Sequence, residues 1–426
     1  MRRPLHIDVH GSCLARESKA DTAYCGSQDK LAEIDRWILS PSSLLSTDIA
    51  GSSMRIAYIV TDLGRGGTQG WVEYSALELV KYGHSITIIA ENTPHDRKAK
   101  FEEHGIVVRA FERPASRSDY CRIIQEARAD VIHLHVWERF SELIQLRELC
   151  NVPVLLSYHS VPKIGWKQWV ARIIKPSVNH WDMYDWFTLK QARQYIDAHI
   201  GCCKASAGGI RNKYWPFMGK RVFPLPNAIP FPEANMASVI SGPPKFLQVG
   251  ALNERKNPFL TLKAFHNIQR RISDSTLTFV GGGPLFEELK GYVHQMGVEN
   301  VFLVGEVQDP SPYYMASNIL VQPSRSEGLP YTLIEGAGRG MALIASNVDG
   351  NPEICIAKRN GLLLPDISEN ALQEAMLNLA LNHEERSRMG SCGRRLVEEN
   401  FSMKLFVKRL LKIYETVIER KPCPAS

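Results

Sequence analysis

Two carboxylates, Glu327 and Glu335, lie eight positions apart in the run Ser324-Arg325-Ser326-Glu327-Gly328-Leu329-Pro330-Tyr331-Thr332-Leu333-Ile334-Glu335-Gly336-Ala337. Gly328 permits a sharp turn after Glu327, and Pro330 suits the first turn of a following helix. On such a helix Glu335 lies a little over two turns beyond Glu327, so both can border one groove. Acceptor-only side chains beside the free N–H groups of a helix start can hold a molecule that is hydroxyl-rich at both ends and anionic between them. A sugar nucleotide has that pattern.

A second candidate is Thr61-Asp62-Leu63-Gly64-Arg65-Gly66-Gly67-Thr68-Gln69-Gly70. Its four glycines let a backbone approach a ligand closely. The helix expected to follow offers N–H groups and positive potential to phosphate or to sugar hydroxyls, with Gly66 and Gly67 at the contact. A tight strand-to-helix turn without a ligand is the plainer alternative. A dinucleotide fingerprint would need glycine where Gln69 stands, although Glu91 occupies a plausible ribose-binding position after the second strand.

Elements must place these loops. From Met54 the chain alternates apolar strands, predicted at 55–60, 85–90, 106–111, 130–136, 153–159 and 198–203, with helical patterns near 70–82, 119–129, 139–149 and 204–213. After the proline-rich stretch Pro224, Pro226, Pro230, Pro232, Pro243, Pro244 a second series follows, with strands at 245–249, 275–280, 301–304, 318–322, 342–346 and 361–364. Such alternation implies parallel sheets covered on both faces. The expected fold class is therefore α/β, with two doubly wound Rossmann-like domains facing across a cleft. Ligands in such sheets sit beyond the carboxyl ends of the strands, where both glycine-rich runs fall. The expected divisions are a disordered extension at 1–53, a first domain at 54–228, a hinge at 229–243, a second domain at 244–400 and a closing amphipathic helix at 401–420.

The totals agree with two soluble domains. The 426 residues exceed what one hydrophobic core usually serves. A formal charge of +6 admits acidic ligands or an anionic membrane surface but is too small and dispersed to suggest nucleic acid. The nine cysteines are scattered without CxxC pairs and read as free thiols in a reducing cytosol. No apolar run is long enough to span a bilayer, and the N-terminus lacks the apolar stretch of a secretory signal.

The Glu327 to Glu335 run, followed by Asp349-Gly350-Asn351-Pro352-Glu353, resembles the Glu-x7-Glu region of the family-four retaining glycosyltransferases, which have the GT-B fold. The resemblance extends from about Met54 to the C-terminus. It implies that Glu327 meets donor-sugar hydroxyls and Glu335 the nucleotide ribose, with Gly328 and Leu329 lining the donor. Val249-Gly250-Ala251-Leu252-Asn253-Glu254-Arg255-Lys256-Asn257 resembles the basic turn in which Arg255 and Lys256 contact the pyrophosphate. Many relatives carry arginine where Ala251 stands. Val280-Gly281-Gly282-Gly283-Pro284 resembles a glycine turn near the donor, and Val304-Gly305-Glu306-Val307 the segment whose backbone, with Val307, frames the nucleobase.

In the first domain, Leu156-Ser157-Tyr158-His159-Ser160 resembles the strand end that places a histidine near the reacting sugar, so His159 joins Arg255, Lys256 and Glu327 as a catalytic candidate. A structural role at a strand end is its alternative. His133 and His135 share a strand face and, with no third ligand at suitable spacing, read as packing or supporting residues rather than a zinc site. Asn227 resembles an asparagine at the domain junction.

The segment between His159 and His199 carries Trp166, Trp169, Trp181, Trp186, Lys163, Lys167, Arg172 and Lys175. It suits either docking to a lipid-linked acceptor at a membrane or an insertion with inward-packed tryptophans.

The expected function is a retaining, metal-independent transfer of sugar from a nucleotide-diphosphate sugar to a glycan or lipid-linked acceptor, in bacterial surface polysaccharide, lipopolysaccharide or glycolipid synthesis. The expected cofactors are none and the expected metal none, because no Asp-x-Asp motif is present to hold a cation on the pyrophosphate. The expected location is the cytoplasm, with possible peripheral contact at the inner face of the membrane. Three readings compete: a non-catalytic sugar-nucleotide-binding protein, a sugar-nucleotide epimerase of similar build, and an NAD-dependent oxidoreductase. The last leaves Glu327, Glu335 and the duplicated second half unexplained.

Overall fold

The computed structural model describes residues 52–112, 115–135, 146–161, 195–214, 221–231 and 242–419. The expected extension over 1–53 lies almost wholly outside them, as do the Trp/Lys segment and residues 232–241 of the expected hinge.

The first sheet follows β1 (Arg55–Val60), β2 (Ser85–Ala90), β3 (Val107–Ala110), β4 (Val131–Leu134), β5 (Val154–Tyr158), β6 (Ala198–Gly201) and β7 (Val222–Pro224). Its order is β3-β2-β1-β4-β5-β6-β7, and every paired neighbour is parallel. Between the strands lie helices α1 (Gly67–Lys81), α2 (Lys98–Glu103), α3 (Arg117–Glu126), α4 (Leu146–Cys150) and α5 (Lys204–Tyr214). In β1, five of the six residues are buried. Covering a parallel sheet on both faces makes its strands continuous apolar runs, which is why the pattern from Arg55 reads so plainly.

The second sheet contains β8 (Lys245–Val249), β9 (Thr276–Val280), β10 (Val301–Gly305), β11 (Ile319–Gln322), β12 (Ala342–Ser346) and β13 (Gly361–Leu364). Its order is β10-β9-β8-β11-β12-β13. The helices are α6 (Pro258–Gln269), α7 (Phe286–Met296), α8 (Ser311–Met315), α9 (Tyr331–Gly338), α10 (Asn351–Ile354), α11 (Glu369–Leu381), α12 (His383–Asn400) and α13 (Met403–Ile418). Chain order reverses between β1 and β4 in one sheet and between β8 and β11 in the other. A crevice opens at such switch points. The glycine-rich loop leaves β1, and the basic loop leaves β8.

Several elements differ from the sequence expectation, among them the short helix α2, which was not expected. Helix α1 begins at Gly67 rather than near residue 70, so Gly67 and Gly70 form its first turn. Val222–Pro224, which no strand was expected to occupy, runs into the start of the proline-rich stretch at Pro224, tolerated because β7 is an edge strand and proline needs no partner on its open side. Helix α3 starts at Arg117, set there by a capping box in which Ser116 and Asp119 satisfy each other's backbone N–H.

Helix α13 follows the second sheet in sequence but packs on the first. Met403, Phe406, Val407, Leu410, Tyr414 and Val417 share a core with Tyr58, Trp71 and Leu79 of β1 and α1. Ile229 pairs with Ser402, so the chain runs side by side where it enters the second lobe and where it returns. Leu410→Ala would leave a cavity under β1 and should lower stability in urea unfolding by about 2–5 kcal/mol. A loss below about 1 kcal/mol would show that α13 does not complete this core.

Candidate functional site

Glu327 lies in the loop between β11 and α9, and its side chain is 6% exposed. Lys256 Nζ is 2.7 Å from one carboxylate oxygen, and Arg255 Nη1 is 3.0 Å from the other. Gln322, the last residue of β11, donates to the same carboxylate at 2.9 Å. Burial pushes the Glu327 carboxyl upward, but the charges of Lys256 and Arg255 and the hydrogen bonds outweigh it and hold the group below its ordinary range. Burial likewise lowers Lys256, an effect that Glu327 opposes.

Backbone geometry fixes this arrangement. Asp349, in a left-handed conformation after β12, accepts from the Glu327 N–H and the Ser326 hydroxyl, each at 2.8 Å. Lys256 is held by Asn253 Oδ1 on its N–H and by Gln248 on its carbonyl. Gly250 has φ +129°, and a Cβ there would touch the Lys256 side chain at 3.4 Å. The ammonium thus lies directly over the turn that ends β8. Gly283 has φ +145°, and its missing Cβ would lie 2.6 Å from the Leu252 carbonyl. The two glycine turns of the second lobe therefore pack on each other.

Glu335 lies on α9 and accepts from the Tyr314 hydroxyl of α8 at 2.6 Å. Burial raises its carboxyl. Arg339 stacks over the Tyr314 ring at 5.0 Å and donates to the Glu335 carbonyl and the Ser311 hydroxyl. Val307, just after β10, packs on the core beneath this helix.

The first lobe meets this loop closely. A Cβ on Gly328 would lie 2.4 Å from the carbonyl oxygen of His159, immediately after β5. Leu329 is buried, and its carbonyl accepts from Asn227 Nδ2 at 2.7 Å. Glu353 accepts from the N–H groups of Lys204 and Ala205 at 3.0 and 2.9 Å, capping the start of α5 from the opposite lobe. Arg65 of the glycine-rich loop reaches Glu306 at 2.9 Å.

In that loop Asp62 Oδ1 accepts from the Gly64 N–H and from Gln69 Nε2, so the residue standing where a dinucleotide fingerprint needs glycine ties the turn together. No side chain caps α1, and the space around the missing Cβ of Gly67 is open. The α1 N–H groups can therefore meet an anion. Glu91 is buried, and its carboxylate accepts from the Tyr120 hydroxyl.

His159 lies beside His135, with Nε2 3.0 Å from His135 Nδ1. His133 stacks on His135 with ring centroids 4.3 Å apart and is bound by Tyr414 and Ser157 at 2.7 Å each. Burial takes His159 down to about 4 and holds His133 and His135 well below their ordinary value, so the row is neutral near pH 7. The sequence offered His133 and His135 no third partner; register supplies His159, because β4 and β5 are parallel neighbours with Leu134 opposite Leu156, and His135 and His159 follow their carboxyl ends. Among the described residues no group of three or more His, Cys, Asp or Glu could hold a metal ion.

The structure brings Arg255, Lys256 and Glu327 into one cluster and sets Gly328 against His159. Glu335, Gly283 and Val307 stand around it in the second lobe, while Gly66 and Gly67 open α1 in the first. Sequence reasoning missed Tyr314, Arg339, Gln322 and Asp349. The nearest signal was Asp349 at the head of the Asp-Gly-Asn-Pro-Glu string; Tyr314 lies 21 positions before its partner.

Comparison with known proteins assigns the family. Residues 65–230 match the model of Glycosyltransferase Family 4, and residues 233–396 match that of the glycosyl transferases group 1. The chain belongs to the group 1 glycosyltransferases. It is 33% identical over 181 residues to the O-antigen chain mannosyltransferase C of Escherichia coli, covering 41% of this chain and 47% of that protein. It is 29% identical over 164 residues to a GDP-mannose-dependent alpha-(1-6)-phosphatidylinositol monomannoside mannosyltransferase of Mycobacterium tuberculosis, covering 36% and 43%. The chain thus spans about half the length of the curated relatives it matches. A crystal structure of Anabaena HepE in complex with UDP and glucose superposes with a TM-score of 0.68 at 14% identity, covering 84% of this chain and 98% of that one. At that identity the likeness establishes the fold, two Rossmann-like domains in the GT-B arrangement.

Two substitutions probe this geometry. Gly328→Ala must displace the loop from the His159 carbonyl and should cost about 1–3 kcal/mol in stability; an unchanged melting temperature would show that the lobes do not meet there. A carboxyl raised by folding lowers stability above its unfolded value. Glu335→Gln should therefore raise the melting temperature at pH 7 by a degree or more, and a fall would contradict its burial as an ionised group.

Proposed function

We propose that this family member transfers a sugar from a nucleoside diphosphate sugar to a glycan or lipid-linked acceptor, with retention at the anomeric carbon and without a metal on the diphosphate. The observation that carries the reading is the cluster of Arg255 and Lys256 on buried Glu327 at the carboxyl ends of β8 and β11. An anionic diphosphate entering the cleft gains two cations, a guanidinium for paired oxygens and an ammonium for a single one. Each neutralises charge that grows as the bond from the anomeric carbon to the phosphate oxygen breaks. Glu327, freed in part from its cations, accepts from donor-sugar hydroxyls. Glu335 accepts from the ribose, the backbone at Val307 meets the base, and the α1 N-terminus at Gly66 and Gly67 meets the donor from the first lobe.

For retention, the acceptor hydroxyl attacks the face that the diphosphate leaves. A phosphate oxygen takes the hydroxyl proton while the new glycosidic bond forms, so the products are the glycoside and a nucleoside diphosphate. Closure of the lobes excludes water, which would otherwise hydrolyse the donor. GDP-mannose is the first donor to test, from the mannosyltransferases among the relatives, and UDP-glucose the second, from the ligands of HepE. The setting that fits is surface polysaccharide, lipopolysaccharide or glycolipid synthesis on the cytoplasmic side, with peripheral membrane contact. Among the described residues no helix is long and apolar enough to cross a membrane.

Ala251 favours one other reading. The residue after Gly250 brings no charge to the diphosphate, as expected of a sugar-nucleotide-binding protein that does not turn over. Kinetics with a sugar acceptor separate the two. Lys256→Ala should lose about 100-fold or more in kcat with a smaller change in donor KM, whereas Glu335→Ala should mainly raise donor KM. Parent activity in both variants would contradict the assignment of this cleft, and no turnover in the parent with any acceptor would favour the binding protein.

A further inference from the structure

His135 and His159 each stand one residue beyond a strand, β4 and β5, and the register pairs Leu134 with Leu156, so both rings emerge at the same end of the sheet. They stack at a centroid distance of 5.3 Å with planes 28° apart, and Nδ1 of His135 lies 3.0 Å from Nε2 of His159. Between two neutral imidazoles this contact needs one proton, and either ring could supply it. The choice decides which nitrogen of His159 carries a hydrogen.

The surroundings of His135 decide it. Its Nε2 is buried and finds no hydrogen-bond partner among the described residues; Trp71 and Tyr58 pack on the ring at centroid distances of 4.5 and 5.3 Å. Were His159 the donor, His135 would carry its own proton on Nε2, an orphan N–H in an apolar wall. Buried N–H groups without acceptors are rarer than under-used acceptors. With the proton on Nδ1, only a lone pair goes unused. His133 offers a contrast, since both of its nitrogens are engaged, by Tyr414 and Ser157.

We infer that His135 is a positioning residue whose Nδ1–H donates to His159 Nε2, leaving His159 with its proton on Nδ1 as a donor to a sugar hydroxyl oxygen. The inference rests on the reading that places His159 at the transfer site. Trp71, which packs tilted on His135 and edge-on to the His159 ring at a centroid distance of 6.0 Å, fixes the plane of the pair. His135 then supplies the tautomer.

The test begins with long-range proton–nitrogen NMR of the ligand-free protein labelled with 15N-histidine, assigned with His159→Gln and His135→Asn. The expected spectrum shows a protonated Nδ1 and a bare Nε2 for His159 at neutral pH; the reverse pattern would overturn the inference, whatever the enzyme transfers. His135→Phe should then give His159 a mixed tautomer and lower kcat about tenfold or more with donor KM within about twofold. His135→Asn, whose amide can donate from nearly the place of Nδ1, should recover most of that loss. Parent kcat in His135→Phe would overturn the inference. Full activity in His159→Ala would overturn the placement of His159 at the transfer site, whereas the tautomer, measured without substrate, tests the His135 contact independently of that placement.

Discussion

Taking a carboxylate out of water costs several kcal/mol unless opposite charge meets it. Glu327 is met twice, by Lys256 and Arg255, with Gln322 as a third donor. The partners arrive on two stretches of chain, the two cations from the turn after β8 and the amide from the end of β11. Losing either cation leaves the buried carboxylate only partly compensated, so the β8 turn and the β11 loop must keep their register. Asp349 extends the constraint to a third loop by holding the Glu327 N–H. The same arrangement suits a diphosphate, because cations already held in place for one anion need little reorganisation to meet another.

The two lobes share this cluster through contacts that are mostly backbone. Glu353 caps α5 across the cleft, Asn227 holds the Leu329 carbonyl, and Gly328 has no room for a side chain beneath His159. Tyr74 of α1 and Tyr331 at the start of α9 meet edge to face with centroids 5.7 Å apart. Helix α13 binds the return of the chain to the first lobe. A loop that carries the carboxylate of one lobe is thereby positioned by the histidine strand of the other. The candidate site and the interlobe packing rest on the same few residues.

Much of this was legible in the sequence, for identifiable reasons. The parallel strands announce themselves because burial on two faces removes alternation, as in Arg55–Val60. Arg255, Lys256, Glu327 and Glu335 stand in short strings whose turns are encoded by neighbouring glycines and prolines. What needed the third dimension is equally specific. Tyr314 reaches Glu335 through the packing of two helices, and no local spacing marks it. His159 becomes the neighbour of His135 only through strand register. Strand β7 was hidden by prolines that an edge position tolerates, and Gln69, conspicuous as a departure from one motif, is a tie within the turn it occupies.

The most direct measurement is the melting temperature of the purified protein and of Glu335→Ala in EDTA with GDP-, UDP-, ADP- and CDP-sugars and with NAD, since a ligand that binds only the folded state raises stability by mass action. The account requires one nucleoside diphosphate sugar to stabilise the parent in EDTA and to lose most of that effect in Glu335→Ala. Stabilisation by NAD alone, or equal stabilisation of parent and variant, would contradict it.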